Sequence, residues 1–96
     1  MPTYQADERF WREWRRLPRE HRAAFRRARD RFVAGLESGS LDPSLRVKRI
    51  QSTRKVWELT WAGDGRATFE YGSEQRPGQT HVIWRRIGTH DILKEP

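Results

Sequence analysis

The sequence predicts an α+β protein in which an N-terminal helix hairpin packs on one face of a twisted antiparallel β-sheet of about four strands. Three observations predict this class. Residues 7–38 place apolar side chains at helical spacing on both sides of a proline. Residues 44–93 contain four short segments rich in β-branched and aromatic side chains, separated by turn residues. A chain of 96 residues provides one core, so we expect a single domain over residues 1–96.

Two helices are predicted, over residues 7–17 and about 19–38. Asp7 suits the N-cap of the first helix, Pro18 suits the first turn of the second, and Gly39 suits its end. Because the link is short, the helices should form an antiparallel hairpin with both apolar faces turned to the same side. Those faces comprise Phe10, Trp14, Leu17, Phe25, Ala28, Phe32 and Leu36.

Strands are predicted at residues 44–50, 56–61, 66–71 and 81–88. Apolar and polar residues alternate in the two middle segments, which predicts one apolar face against the helices and an opposite polar face. An Asp-Gly pair at residues 64–65 favours a tight turn between them. The last segment has apolar residues at both odd and even positions, and therefore on both faces of the strand, which is typical of a central strand. The predicted polar face carries Glu58, Thr60, Arg66, Thr68 and Glu70.

The chain is strongly basic, with 20 Lys and Arg against 13 Asp and Glu and a net charge of +7. Such a charge indicates nucleic acid or another polyanion as partner. Ten arginines lie within residues 7–38. Helical pairs such as Asp7 or Glu8 with Arg12, and Glu13 with Arg9 and Arg16, would make them a solvated surface; alternatively, this surface rests on a large polyanion such as ribosomal RNA or DNA.

The composition also excludes several classes of protein. The absence of cysteine excludes disulfides and thiolate metal sites and fits a reducing cytoplasm. No apolar segment approaches the roughly 18 residues of a membrane span, and the N-terminus lacks a signal-peptide core. His21 and His81 lack metal-ligand spacing and are predicted to be structural. We therefore expect a cytoplasmic protein without metal or cofactor.

The tryptophans predicted to be in the core are Trp11, Trp14, Trp57 and Trp61, and a buried role is favoured for Trp84.

Four motifs carry a resemblance to a known family: PSLRVKRI at residues 43–50, WEL at 57–59, R-x-x-F-E-Y at 66–71 and R-x-I-G-T-H-D-I-L at 85–93. Following a helix hairpin, this order resembles the RelE/ParE superfamily of toxins from bacterial type II toxin–antitoxin pairs. The resemblance implies two helices on a twisted antiparallel sheet, often preceded by a short edge strand, for which residues 2–5 are the candidate. It also implies an antitoxin partner and one of two activities. The RelE branch cleaves mRNA in the ribosomal A site, and the ParE branch poisons DNA gyrase.

The resemblance places Arg66 where RelE-like nucleases carry an arginine that contacts the scissile phosphate, and His90 where they carry a catalytic arginine or histidine. Metal-free RNA cleavage needs a base, an acid, and cations that stabilise the charge developing on the phosphate. Histidine side chains ordinarily titrate near pH ~6.5 and can serve as the acid. His90 could be the acid and Glu58, facing outward on the same sheet face as Arg66, the base, while Arg66 and either Arg85 or Arg86 would stabilise the phosphorane. The candidate catalytic residues are therefore Arg66, His90, Glu58 and Arg86, and the candidate RNA-binding residues are Arg46, Lys48, Arg49, Lys55 and Arg85.

Each assignment has a structural alternative. Arg66 could be a solvated strand end, the pair His90 and Asp91 could close the C-terminal segment through hydrogen bonds, and Glu58 could form an ion pair with Lys48 or Arg66. The first RelE members carry two lysines where Glu58 and Thr60 stand here, and a base-stacking tyrosine has no counterpart after His90.

The leading prediction is a ribosome-dependent mRNA endoribonuclease that inhibits translation. The alternatives are a ParE-like toxin that binds gyrase without cleaving RNA, and a non-catalytic basic nucleic-acid-binding module.

Overall fold

The computed structural model describes every residue from Met1 to Pro96, and in it two helices cover one face of a five-stranded sheet. The strand order is β1-β5-β4-β3-β2, with β1 parallel to β5 and all other neighbours antiparallel. The predicted α+β class with its helix hairpin is confirmed, with one more strand than the four expected. The elements are β1 Thr3–Ala6, α1 Glu8–Arg16, α2 Arg19–Ser38, β2 Lys48–Arg49, β3 Trp57–Thr60, β4 Gly65–Gly72 and β5 His81–Thr89, with 3-10 helices at Pro43–Leu45 and His90–Lys94.

The helix hairpin begins and ends within one residue of the predicted positions. Pro18 directly precedes α2, and Gly39 ends it with a φ of 81°, in the left-handed region that glycine enters without steric cost. Asp7 occupies the N-cap position of α1, but its side chain makes no capping hydrogen bond. Neither helix combines the length and the hydrophobicity that are required to cross a membrane.

The first strand runs parallel to its neighbour, whereas an antiparallel sheet was predicted. It covers Thr3–Ala6, one residue later than expected, and pairs with the first half of β5. The buried ring of His81 joins the two strands, because its Nδ1 lies 2.7 Å from the Thr3 hydroxyl and its Nε2 lies 3.0 Å from the Gln5 amide oxygen. The predicted structural role of His81 is therefore confirmed.

The strand predicted at residues 44–50 is much shorter in the structure. Pro43–Leu45 forms a 3-10 turn instead, because the Asp42 carboxylate accepts a hydrogen bond of 2.9 Å from the Ser44 N–H. Hydrogen bonds from Ser44 also hold the pKa of Asp42 below its ordinary value. Arg46 follows in the left-handed region with a φ of 49°, which redirects the chain and leaves only the two residues of β2 to pair with β3.

The core is a cluster of aromatic rings between the sheet and the hairpin. The Trp84 ring centroid lies 5.3 Å from that of Phe25, 5.4 Å from Phe69 and 5.8 Å from Phe32. Edge-to-face aromatic pairs of this kind contribute about 0.5–1.5 kcal/mol beyond the area that they bury. The buried role of Trp84 is thus confirmed. The cluster comprises Phe10, Phe25, Ala28, Phe32, Leu45, Leu59, Trp61, Ala67, Phe69, Val82, Trp84 and Ile87.

The prediction that four further tryptophans lie in the core is wrong for one of them. Trp61 is buried, and Trp14 and Trp57 pack against the core cluster, but Trp11 is 39% exposed. The reason is the helical repeat: Trp11 follows Phe10 by one residue, about 100° around α1, and so points away from the sheet.

Gly65 should not tolerate a side chain. The turn between β3 and β4 presses it against the Trp61 indole, so that an added Cβ would lie 2.6 Å from the ring. We expect Gly65→Ala to lower the free energy of unfolding by roughly 1–3 kcal/mol, measured by urea denaturation. Gly63→Ala in the same turn is the control, because its Cβ would meet no atom within 4 Å. Equal losses in the two variants would contradict this account.

Candidate catalytic face

The polar face of the sheet, opposite the helices, carries a row of polar side chains that runs across the strands, and most of them are charged. Strand pairing aligns Lys48 with Glu58, Glu58 with Thr68, and Thr68 with Arg86. The register of β4 and β5 then shifts by one residue, and Arg85 is the extra residue in β5. This bulge allows the two consecutive arginines to lie outside the core although they are neighbours in one strand.

Glu58 was predicted to face outward on the polar face. In the structure it is buried and forms an ion pair. Its carboxylate lies 3.8 Å from the Lys48 ammonium on the adjacent strand, and the residue is only 8% exposed. The ion pair with Lys48 was one of the alternatives that the sequence left open for Glu58. In this arrangement the carboxylate neutralises a candidate RNA-binding cation.

Glu70 neutralises two more of the candidate cations. Its carboxylate accepts a hydrogen bond of 2.6 Å from the Arg85 guanidinium and lies 3.5 Å from the Lys55 ammonium. Arg49 donates to the Thr53 carbonyl oxygen, whereas Arg46 is exposed and has no carboxylate partner. Of the five predicted RNA-binding residues, the structure therefore leaves Arg46 and Arg49 without an acidic partner, whereas Lys48, Lys55 and Arg85 are paired.

Arg86 forms an ion pair with Glu13, which was predicted to pair with Arg16 on the helix surface. Its guanidinium donates two hydrogen bonds, of 2.6 Å and 3.3 Å, to the Glu13 carboxylate on α1, and the same carboxylate accepts the Ile87 N–H at 3.3 Å. The predicted pair of Glu13 with Arg16 is wrong, because Glu13 lies three residues after Phe10 and so on the buried side of α1. That spacing was the signal in the sequence for its inward direction.

Arg66 and His90 lie at the same end of the polar face. Arg66 is paired with Gly88, and the next pair toward the end of the sheet joins Gly65 to Thr89, which directly precedes His90. His90 is exposed, and its imidazole makes no hydrogen bond within the chain, in contrast to the predicted alternative of a closing hydrogen bond.

The guanidinium of Arg66 is held by the β3–β4 turn. Its Nη1 donates to the main-chain oxygens of Gly65 at 3.0 Å and Gly63 at 3.2 Å, and it has no carboxylate partner. These bonds use one of the three guanidinium nitrogens. The N–H groups on Nε and Nη2 stay available for an anionic ligand.

The C-terminal segment, residues 90–96, covers part of the polar face. The Thr68 hydroxyl and Arg85 Nε donate to the Pro96 oxygen at 3.1 Å and 3.2 Å, and Arg86 Nη1 donates to the Glu95 oxygen at 3.1 Å. Ile92 is buried above Gly88, where a Cβ would approach it to 2.9 Å. Thr68, which was predicted to lie on the polar face, is therefore fully buried beneath this segment.

The candidate residues consequently form two groups. Arg85 and Arg86 line a polar cleft of about 450 Å³ beside the C-terminal segment, together with Arg9, whereas Arg66 and His90 lie outside it. No group of three or more His, Asp or Glu side chains is arranged to hold a metal ion.

Two helices on a mixed five-stranded sheet with a basic polar face define the class of structure: this is the fold of the RelE-like toxins. The chain is similar to the Escherichia coli DinJ–YafQ toxin–antitoxin complex, with 10% identity over 96% of each chain and a TM-score of 0.69. It is also similar to the RelB–RelE antitoxin–toxin complex of Methanococcus jannaschii, with 16% identity over 94% of each chain and a TM-score of 0.64.

A third similar structure is the intact E. coli RelBE complex, with 17% identity over 93% of this chain and 96% of that chain and a TM-score of 0.60. No family model matches the sequence, and no curated protein matches it. The likeness predicted from the sequence is therefore confirmed at the level of the fold.

Proposed function

We propose that this protein is the toxin of a type II toxin–antitoxin pair and that it cleaves mRNA on the ribosome. The observation that carries this proposal is the position of His90 and Arg66, both free of acidic partners, at one end of a basic sheet. All three similar structures named above are toxin–antitoxin complexes, which supports the coarser part of the proposal. The net charge of +7 supports a polyanionic substrate.

In the proposed reaction, Arg66 binds the scissile phosphate and His90 acts as the general acid. The 2′-oxygen of the RNA attacks phosphorus and loses its proton to solvent, while the bond from phosphorus to the 5′-oxygen breaks. The imidazolium of His90 donates its proton to that departing oxygen, and a 2′,3′-cyclic phosphate remains. Because the turn carbonyls already hold the guanidinium of Arg66, little reorganisation is needed when charge develops on the phosphate.

The remaining candidate residues receive supporting roles in this proposal. Glu58 holds Lys48, and Arg86 fixes the end of β5 through Glu13, so both are positioning residues. Arg46 and Arg49 bind the RNA backbone at the β2 end of the sheet, where phosphate contacts orient the substrate without reading its sequence.

A ParE-like toxin that binds gyrase without cleaving RNA is the second candidate. The ion pairs of Glu58 and Glu70 favour it, since they neutralise Lys48, Lys55 and Arg85 and thereby weaken the field of the polar face. Such a protein would arrest growth through DNA damage, with translation stopping only later.

Induction of the protein in a bacterial host separates the two candidates. We expect amino-acid incorporation to fall before any DNA-damage response appears. Primer extension should map breaks in translated mRNA, and purified protein should produce the same breaks only when ribosomes are present. A damage response without mRNA breaks would overturn the nuclease assignment in favour of the gyrase-binding one. Normal growth at high expression would overturn the toxin assignment itself.

A further inference from the structure

A concave aromatic groove lies on the helix side of the sheet, opposite the polar face. It encloses about 210 Å³ between β1, α1 and α2, enough for one large apolar side chain. Its inner wall is formed by rings of the core cluster, and its rim is open to solvent. Its lining includes Tyr4, Trp11, Trp14, Phe25, Arg26 and Arg29.

The rim exposes apolar surface that the fold itself does not use. Tyr4 is 66% exposed and Trp11 is 39% exposed, and these are two of only four large hydrophobic residues that are exposed in the whole chain. Both border the same groove. Clustered exposed aromatic side chains beside a cavity are typical of a surface that another molecule covers.

The charges around the groove are positive. The Arg26 guanidinium lies 5.2 Å from the centroid of the Trp14 ring and has no carboxylate partner. Arg29 pairs only with its neighbour Asp30, whose carboxylate is 70% exposed, so this pair is weak. A ligand that fits the groove therefore combines an apolar side chain with nearby negative charge.

The groove also borders main-chain groups without partners. β1 is the edge strand of the sheet, and its bonds to β5 alternate along the strand, with the Thr3 N–H donating to Thr80 and the Asp7 N–H donating to Trp84. The N–H and C=O groups of Tyr4 and Ala6 consequently point away from β5. A free strand edge beside an apolar pocket fits an extended peptide better than a nucleic acid.

We propose that the aromatic groove binds an acidic segment of the cognate antitoxin, which inserts one large apolar side chain between Trp11, Trp14 and Phe25 and places carboxylates against Arg26 and Arg29. This inference rests on the proposed toxin function. It places the inhibitory partner on the face opposite His90 and Arg66, so that at least part of its binding energy comes from contacts remote from the catalytic residues.

The test uses the full chain and, as probe, the purified product of the gene adjacent to its own. Trp11→Glu puts a charge into the groove, and we expect it to weaken binding about 30-fold or more, as loss of an interface hot spot does. Arg26→Glu/Arg29→Glu should weaken binding about 10-fold or more, with the loss shrinking as salt is raised. Calorimetry measures the affinity, and circular dichroism verifies the fold.

The matched control is Arg54→Glu/Arg76→Glu, which changes the net charge equally at two exposed loop positions outside the groove. It should retain affinity within about threefold. Trp11→Ala provides a second probe if the glutamate variant does not fold, and should weaken binding about tenfold.

Wild-type affinity in the groove variants would overturn the groove assignment while leaving the toxin–antitoxin pairing intact. The same result with loss of RNA binding would reassign the groove to nucleic acid. A probe that does not bind the wild-type chain at all would overturn the pairing, and the groove assignment with it.

Discussion

Under the proposed mechanism, replacing His90 with alanine should slow ribosome-dependent mRNA cleavage by several orders of magnitude without unfolding the protein. The imidazole is exposed and makes no hydrogen bond within the chain, so its removal costs the fold little. Loss of a general acid ordinarily slows a reaction by about 10²–10⁴-fold, and we expect a loss of this size in single-turnover cleavage on programmed ribosomes. Growth arrest on induction should disappear with it.

Arg66→Ala should act on the same step and lower the cleavage rate by about 10²–10³-fold, as loss of a fixed donor to a developing oxyanion does. Arg66→Lys should recover little, because an ammonium lacks the rigid planar fork in which Nη1 bonds to the turn carbonyls while Nε and Nη2 face the phosphate. His21→Ala is the matched control, since this exposed histidine lies on α2 against Trp61. Full cleavage by both His90→Ala and Arg66→Ala would end the nuclease proposal.

The largest loss of stability is expected from Glu13→Ala. The Glu13 carboxylate satisfies both the Arg86 guanidinium and the Ile87 N–H, and the two ionic side chains are only 19% and 15% exposed. Removing one partner of a fully buried ion pair costs about 3–5 kcal/mol, and because this pair is partly exposed and Arg86 borders the polar cleft, we expect about 2–3 kcal/mol here. We expect a decrease in the free energy of unfolding in this range, measured by urea denaturation at neutral pH.

Two further variants isolate the cause of that loss. Glu8→Ala removes an exposed carboxylate from the same helix and should change stability by no more than about 0.5 kcal/mol. Glu13→Met/Arg86→Met removes both charges together and should be less destabilising than Glu13→Ala, because no buried charge remains. If Glu13→Ala behaved like Glu8→Ala, the pair would not support the end of β5.

The helix hairpin could be predicted from the sequence because its determinants are local. The spacing of Phe10, Trp14 and Leu17, the proline at 18 and the left-handed Gly39 act within a few residues, and the structure follows them closely. The strand at residues 44–50 could not be predicted in the same way. There a local hydrogen bond from the Ser44 N–H to the Asp42 carboxylate competes with strand pairing. The β-propensity of the residues alone does not show which of the two conformations is more stable.

The candidate site was predictable in composition but not in pairing. The basic polar face and the position of Arg66 after the Asp-Gly turn follow from alternation and turn chemistry. The partner of each charge does not, because it depends on which strand lies alongside. Glu58 meets Lys48 through antiparallel register, and Arg85 meets Glu70 because of the bulge in β5.

The amino-acid sequence by itself determined the two helices, the three longer antiparallel strands β3 to β5 and which of their sides are apolar, since these properties arise from periodicities of a few residues. Only the tertiary structure decided that Glu13 meets Arg86 across 73 positions of the chain, that β1 runs parallel to β5, and that Trp11 borders an open groove. Such contacts depend on register and on the packing of whole elements, and no short window of sequence contains them.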